Sequence, residues 1–102
     1  MSLPLVFRPI AQIELDESIS WYESRSAGLG QEFRDEIEKH LERIANHPNQ
    51  FQRIREEIRR TVLQRFPYSI NFLPEANRIV ILAVFHARRN PKTIKQRLRS
   101  ED

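Results

Sequence analysis

The stretch that decides the fold runs from residue 78 to residue 85 and reads Arg78-Ile79-Val80-Ile81-Leu82-Ala83-Val84-Phe85. Its residues favour extended backbone, and seven consecutive positions are apolar. Both sides of such a strand must be covered by other parts of the chain. The stretch therefore predicts a central strand that is buried on both faces of a sheet.

Other strands are predicted on either side of this one along the chain. Apolar and polar residues alternate in Tyr68-Ser69-Ile70-Asn71-Phe72, which is the two-residue period of a half-buried strand. The turn residues Pro74-Glu75-Ala76-Asn77 join it to the central strand as a hairpin. Residues 58–66 mix polar and apolar positions in no helical period and predict another strand. Leu5 to Arg8 is expected to form a short first strand.

Two helices are predicted around the chain's two glycines, Gly28 and Gly30, which supply the freedom that a tight reversal needs. Each helix has one apolar stripe at helical spacing. The first stripe is Ala11, Leu15, Ile19 and Tyr22, and the second is Leu29, Phe33, Ile37, Leu41 and Ile44. Asn46 and Pro48 end the second helix. The result is a helical hairpin that must bury its apolar faces against a sheet.

The predicted order is β-α-α-β-β-β, an α+β fold with the helical hairpin packed on a small, mainly antiparallel sheet. Asn90 as N-cap and Pro91 at the first helical position predict a short C-terminal helix, on which Ile94 and Leu98 share a face. A chain of 102 residues has room for one core, so residues 1–102 are expected to form a single domain.

Composition excludes several classes of protein. The chain has no cysteine, which removes disulfides and thiolate metal sites. Its three histidines show no ligand spacing with carboxylates, so we expect neither a metal nor another cofactor. The longest apolar run, from Ile79 to Phe85, is much shorter than the roughly 20 residues that cross a bilayer. We therefore expect a cytoplasmic protein with no membrane contact.

Charge is divided between the two halves of the chain. Residues 9–47 contain nine Asp or Glu against four Lys or Arg, a balance of −5, whereas residues 48–99 contain three Glu against twelve Lys or Arg, a balance of +9. Such asymmetry predicts that the C-terminal half faces an anionic partner, either nucleic acid or an acidic protein segment.

Four motifs occur in an order that resembles a known family. They are Trp21-Tyr22-Glu23, Gly28-Leu29-Gly30 followed by Phe33, Arg65-Phe66-Pro67-Tyr68-Ser69-Ile70, and Ala83-Val84-Phe85-His86-Ala87-Arg88-Arg89-Asn90-Pro91. Together they resemble the ParE/RelE toxin superfamily of type II toxin–antitoxin systems, and they are closer to the ParE branch. The resemblance implies a toxin held inactive in a hetero-oligomer with a cognate antitoxin protein.

The superfamily offers two activities of different classes. ParE-like members bind and stall DNA gyrase without being enzymes, whereas RelE-like members enter the ribosome and cut mRNA. For an endoribonuclease, the catalytic candidates here are His86, Arg88, Arg65 and Tyr68. The sequence has no lysine on the predicted sheet and no tyrosine after Tyr68, so the set is incomplete. We therefore favour the gyrase inhibitor, with a non-toxic basic RNA- or DNA-binding module as a third alternative.

Partner binding is predicted for basic side chains of the C-terminal half, because guanidinium groups bind carboxylates and phosphates with two parallel hydrogen bonds. These residues are Arg59, Arg60, Arg65, Arg88, Arg89, Lys92, Lys95 and Arg97. Protection of an edge strand by charge is the alternative explanation for the arginines of the first strands after the helices.

The sequence also predicts which way the side chains of His86, Arg88 and Trp21 point. Strict alternation along the central strand places His86 and Arg88 on the same face as Val80, Leu82 and Val84. Trp21 lies off the main stripe of the first helix, and we expect it to pack between the helices; exposure as a partner anchor is the alternative.

Overall fold

The computed structural model describes residues 2–88 and 92–99, in which three helices pack on the two faces of a five-stranded sheet. The elements are β1 (Leu5–Phe7), α1 (Pro9–Arg25), α2 (Leu29–Asn46), a 3-10 turn (Pro48–Gln50), β2 (Gln52–Arg55), β3 (Ile58–Val62), β4 (Tyr68–Pro74), β5 (Ile79–His86) and α3 (Lys92–Arg99). None of the described helices is long and apolar enough to span a membrane.

The sheet has the strand order β1-β5-β4-β3-β2. β1 runs parallel to β5, and the other neighbours are antiparallel. β5 therefore lies beside both β1 and β4, and all its residues except His86 are buried. The predicted α+β fold and the central position of this strand are confirmed.

The sheet contains one strand more than the predicted order, because the predicted strand over residues 58–66 is the second half of a hairpin. β2 forms the outer edge and all four of its residues are exposed. A strand without a buried face shows no alternation of apolar and polar residues, which is why the pattern did not indicate it. β3 itself ends at Val62, and the chain then turns towards β4.

The reversal between α1 and α2 depends on both glycines and on one carboxylate. Gly28 has a φ of 88°, which residues with a Cβ rarely adopt. A Cβ on Gly30 would lie 2.7 Å from the Ile19 carbonyl oxygen. The Glu23 carboxylate accepts hydrogen bonds from the N–H groups of Gly28 at 2.9 Å and Gly30 at 3.0 Å. Glu23 and the two glycines therefore form one structural unit, although five residues or more separate them.

The main core lies between the helical hairpin and one face of the sheet. Phe33 and Ile37 of α2 pack there with Ile70 and Phe72 of β4, and all four are at most 1% exposed. A second, smaller core lies on the opposite face, where Ile94 of α3 packs on apolar residues of the sheet. The apolar composition of β5 follows from this arrangement, because helices cover the strand on both sides.

A β-bulge in β5 changes which side chains share a face. Asn71 pairs with Ala83, and Phe72 pairs with Ile81, so Leu82 has no opposite residue. Beyond the bulge the alternation is reversed, and Val84 joins the core under the helical hairpin, whereas Leu82 packs on the opposite face. The prediction from strict alternation was therefore wrong, because a bulge inserts one residue into the two-residue period.

Glu14 and Arg97 cover the open edge of β5 beyond the short strand β1. The two side chains form an ion pair with N–O distances of 2.6 and 2.7 Å, and both are about nine-tenths buried. Glu14 also accepts a hydrogen bond from the Val84 N–H, and Arg97 donates to the Leu82 carbonyl. The pair thus satisfies backbone groups beside the bulge and attaches α3 to α1.

Candidate partner-binding groove

An apolar groove of about 490 Å³ lies where α1 meets the ends of β4 and β5. α1 contributes Glu17, Ser18, Trp21 and Tyr22, and the sheet contributes Tyr68 and His86. Its wall is mainly apolar, and Glu14 and Glu17 of α1 are also among its lining residues. We refer to these residues as the Trp21 groove.

Aromatic rings from three elements form the support of the groove. Tyr22 stacks on Phe33 with 5.0 Å between ring centroids, and its edge contacts Phe66 at 4.8 Å and Tyr68 at 5.8 Å. Burial raises the pKa of the Tyr22 hydroxyl, and the neighbouring Tyr68 raises it further. Tyr22 therefore remains a neutral hydroxyl at physiological pH and is unsuited to act as a base.

Tyr68 and His86 lie opposite each other on β4 and β5, with 5.9 Å between their ring centroids. The Arg88 backbone N–H donates a hydrogen bond of 3.1 Å to His86 Nδ1. An acceptor role at Nδ1 requires the neutral ring to carry its proton on Nε2. The neutral imidazole then offers its Nε2–H group as a hydrogen-bond donor.

Trp21 does not pack between the helices, contrary to the prediction. Its side chain is 49% exposed. One edge of the ring meets Tyr22, with centroids 5.0 Å apart, and the Arg25 guanidinium carbon lies 4.4 Å from its centroid. The inner stripe of α1 already fills the interface with α2, so no room is left there for an indole.

The matching family model is described as ParE toxin of type II toxin-antitoxin system, parDE, and it covers residues 5–91. The chain belongs to this family of ParE toxins. A solved structure entitled "Chromosomal ParDE TA system from P. aeruginosa" is similar in fold, with a TM-score of 0.70 and 20% sequence identity. The match covers 83% of this chain and 96% of that chain. A search of curated proteins found no match.

Arg65 of the toxin lies outside the groove. Its guanidinium forms an exposed ion pair of 2.6 Å with Glu32 of α2. Nearby, the Glu36 carboxylate accepts hydrogen bonds from the backbone N–H groups of Gln64 and Arg65. The helix thus holds the loop that leads into Phe66-Pro67-Tyr68, and Arg65 is separated from Tyr68 and His86 by this loop.

Arg59 and Arg60 point to opposite faces of the sheet of the toxin. Arg59 donates to the backbone carbonyls of Phe51 at 2.6 Å and Asn49 at 3.3 Å, so it holds the chain before β2. Arg60 is half-buried on the face that carries α3, where it lies opposite Asn71 in the register. Arg59 would have to give up these hydrogen bonds to bind a partner, whereas no such bond of the Arg60 side chain is seen among the described residues.

The remaining predicted basic residues lie at and beyond the end of β5. Arg88 is exposed and lies two residues beyond the end of β5. Arg97 forms an ion pair with Glu14 and donates a hydrogen bond to the Leu82 carbonyl. Partner binding by Arg97 would require this ion pair to open. Arg89 lies outside the described residues, as do the side chains of Lys92 and Lys95.

The four catalytic candidates do not form one site. Tyr68 and His86 are adjacent, Arg88 donates its backbone N–H to His86, and the Arg65 guanidinium is bound to Glu32 of α2. The described residues also contain no cluster of three or more His, Asp or Glu that could hold a metal ion. Two of the four candidates, Tyr68 and His86, therefore lie together in the lining of the groove.

Sequence reasoning missed the structural role of the carboxylates on the helices. Glu14, Glu23 and Glu36 each accept hydrogen bonds from backbone N–H groups of another segment. Several carboxylates of the acidic half therefore bind backbone groups within the toxin itself. Only Glu23, which stands shortly before the two glycines that it binds, gave a local signal in the sequence. The partners of Glu36 and Glu14 lie 28 and 70 residues away along the chain.

Proposed function

We propose that this ParE toxin inhibits DNA gyrase in the cytoplasm and is neutralised by a cognate antitoxin. The observation that carries the proposal is the separation of Arg65 from the neighbouring pair Tyr68 and His86. Cleavage of RNA needs proton transfer and charge stabilisation at one phosphate, so its groups must converge within hydrogen-bond reach. A toxin that stalls its target by binding needs only a complementary surface.

The alternative is a ribosome-dependent mRNA endonuclease, and the adjacency of Tyr68 and His86 is the observation in its favour. Two variants distinguish the activities. His86→Ala removes the imidazole, and Tyr68→Phe removes a hydroxyl while it keeps the ring that packs on Phe33. Loss of a general acid or base slows a chemical step by roughly 10²- to 10⁴-fold.

The test measures supercoiling by purified gyrase and ribosomal mRNA cleavage in parallel, with folding of each variant checked by circular dichroism. We expect the intact toxin to block supercoiling, and neither variant to lose inhibition by the roughly 10²- to 10⁴-fold that loss of a general acid or base produces. Cleavage of mRNA that His86→Ala abolishes, without any effect of the intact toxin on gyrase, would refute the proposal.

For the antitoxin, we propose that an acidic segment binds the basic side of the sheet, including Arg60 and Arg88, in a toxin–antitoxin hetero-oligomer. Arg60→Glu is the sharper test than a change at Arg59, which holds backbone carbonyls. Arg34→Glu, on the exposed side of α2, is the matched control. We expect Arg60→Glu alone to weaken antitoxin binding; equal affinities for the two variants would contradict the proposed surface.

A further inference from the structure

The outer side of α1 is unusual because it carries apolar side chains that no other element covers. Ile13 and Trp21 are 50% and 49% exposed, and Glu17 lies between them at four-residue spacing. Residues spaced by four lie above one another on one side of a helix, so this row extends over about 12 Å. The inner stripe of α1 is already buried, so this outer row is not required for the core.

The outer row continues into the Trp21 groove. Trp21 and Glu17 both belong to the lining of the groove. An open depression beside it is lined by Asp16, Glu17, Ser20 and Trp21. Exposed apolar surface with a half-exposed tryptophan at its centre is typical of sites that bind a protein.

The charges on this surface define what it can bind. Asp16 and Glu17 are exposed, and no described residue forms an ion pair with Glu17. These carboxylates repel nucleic-acid phosphates and acidic protein segments alike. The complementary ligand is a protein segment that places an apolar side chain in the groove and a Lys or Arg beside the two carboxylates.

We infer that this surface, formed by Ile13, Asp16, Glu17 and the Trp21 groove, binds the cellular target of the toxin, whereas the antitoxin binds elsewhere. The inference rests on the proposed function, because it requires that the toxin binds both a cellular target and an antitoxin. The exposed carboxylates of Asp16 and Glu17 repel the acidic segment that is proposed to bind the basic side of the sheet. The groove ends at His86, next to the exposed Arg88, so an antitoxin bound at Arg88 would reach the end of the groove and exclude the target.

The test uses the full-length toxin with Trp21→Ala and Glu17→Arg as separate variants. Glu38→Arg, an equal change of charge on the exposed side of α2, is the matched control. Each variant is measured for growth arrest on induced expression, for inhibition of purified gyrase, and for affinity towards the co-purified antitoxin by calorimetry. Thermal melting checks that the variants fold.

We expect Trp21→Ala to reduce toxicity by about 30-fold, as judged by the toxin level that arrests growth, because a central binding residue contributes about 2 kcal/mol or more. Glu17→Arg should also reduce toxicity, because it places a like charge against the Lys or Arg of the target. Antitoxin affinity should stay within about twofold of that of Glu38→Arg. Growth arrest equal to that of the intact toxin in both variants would overturn the inference.

Loss of antitoxin affinity in the same variants, with or without loss of toxicity, would also overturn it, because the groove would then belong to the antitoxin interface. An intact toxin that arrests growth but leaves gyrase unaffected would refute the proposed function alone. In that case growth arrest by the two variants still decides whether α1 faces the target. An intact toxin that does not arrest growth would overturn both.

Discussion

Replacement of Phe33 by alanine is the most direct test of how the helical hairpin supports the groove. The Phe33 ring is completely buried. It contacts three other rings, with centroid distances of 5.0 Å to Tyr22, 5.1 Å to Phe66 and 5.2 Å to Tyr68. No other aromatic side chain described joins α2 to both the first helix and the β3–β4 connection in this way.

The size of the effect follows from burial and from the three ring contacts. Removal of a buried phenylalanine costs about 3 to 5 kcal/mol of unfolding free energy, because apolar area is lost and a cavity remains. Each aromatic pair contributes about 0.5 to 1.5 kcal/mol beyond the buried area, so we expect Phe33→Ala to cost about 4 kcal/mol rather than the minimum of this range. A domain of this size has about 5 to 15 kcal/mol in total, so the variant should melt about 15 to 30 °C below the intact protein.

Urea denaturation followed by circular dichroism measures the difference. Phe33→Leu retains most of the apolar volume but removes the ring contacts, and it should cost about 1.5 kcal/mol. Arg34→Ala, at the neighbouring exposed position, should change stability by less than about 0.5 kcal/mol. A loss of less than about 1 kcal/mol for Phe33→Ala would show that this ring is not part of the core.

Three further predictions concern single contacts. Gly30→Ala should cost more stability than Gly28→Ala, because its Cβ meets a backbone oxygen whereas Gly28 has open space and only a strained φ; equal melting temperatures would contradict this. Arg97→Met should cost about 3 kcal/mol by removing the guanidinium that forms an ion pair with the buried Glu14 carboxylate, and a double-mutant cycle with Glu14→Gln should show coupling between the two sites; additive effects would contradict it. Burial lowers the pKa of His40; Glu36 opposes this shift and Arg43 adds to it. As the pH falls, the unfolded chain therefore takes up a proton at this residue before the folded protein does. The free energy of unfolding should consequently decrease as the pH falls through about 6.5. In urea titrations at pH 7.5 and 5.5, His40→Gln should lose that part of the pH dependence.

The His40 prediction has a structural reason beyond the pKa. His40 Nδ1 lies 2.9 Å from the Thr61 hydroxyl oxygen, and the side chains of both residues are buried between α2 and β3. Glu36, one turn earlier, lies 3.8 Å from His40 Nε2 and binds the loop before β4. Protonation of His40 therefore perturbs the contact between α2 and β3, next to the loop that positions Phe66 and Tyr68.

Local sequence alone determined the helical hairpin and the central strand. Their signals are the stripe through Phe33 and Ile37, the pair of glycines, and the unbroken apolar run of β5. These signals are local because a helix or a strand repeats its burial every few residues, and a glycine is needed where the backbone takes a positive φ. The family resemblance follows from the same segments, and the family match over residues 5–91 confirms it.

Tertiary structure alone decided the groove and the direction of its residues. The bulge at Leu82 depends on the pairing of β4 with β5, and it reversed the predicted face of Val84. Trp21 is exposed because other residues of α1 occupy the helix interface. The physical reason is common to both. Which face of an element is buried, and which charges meet, depends on segments that are distant in sequence, as Glu14 and Arg97 are at a separation of 83 residues.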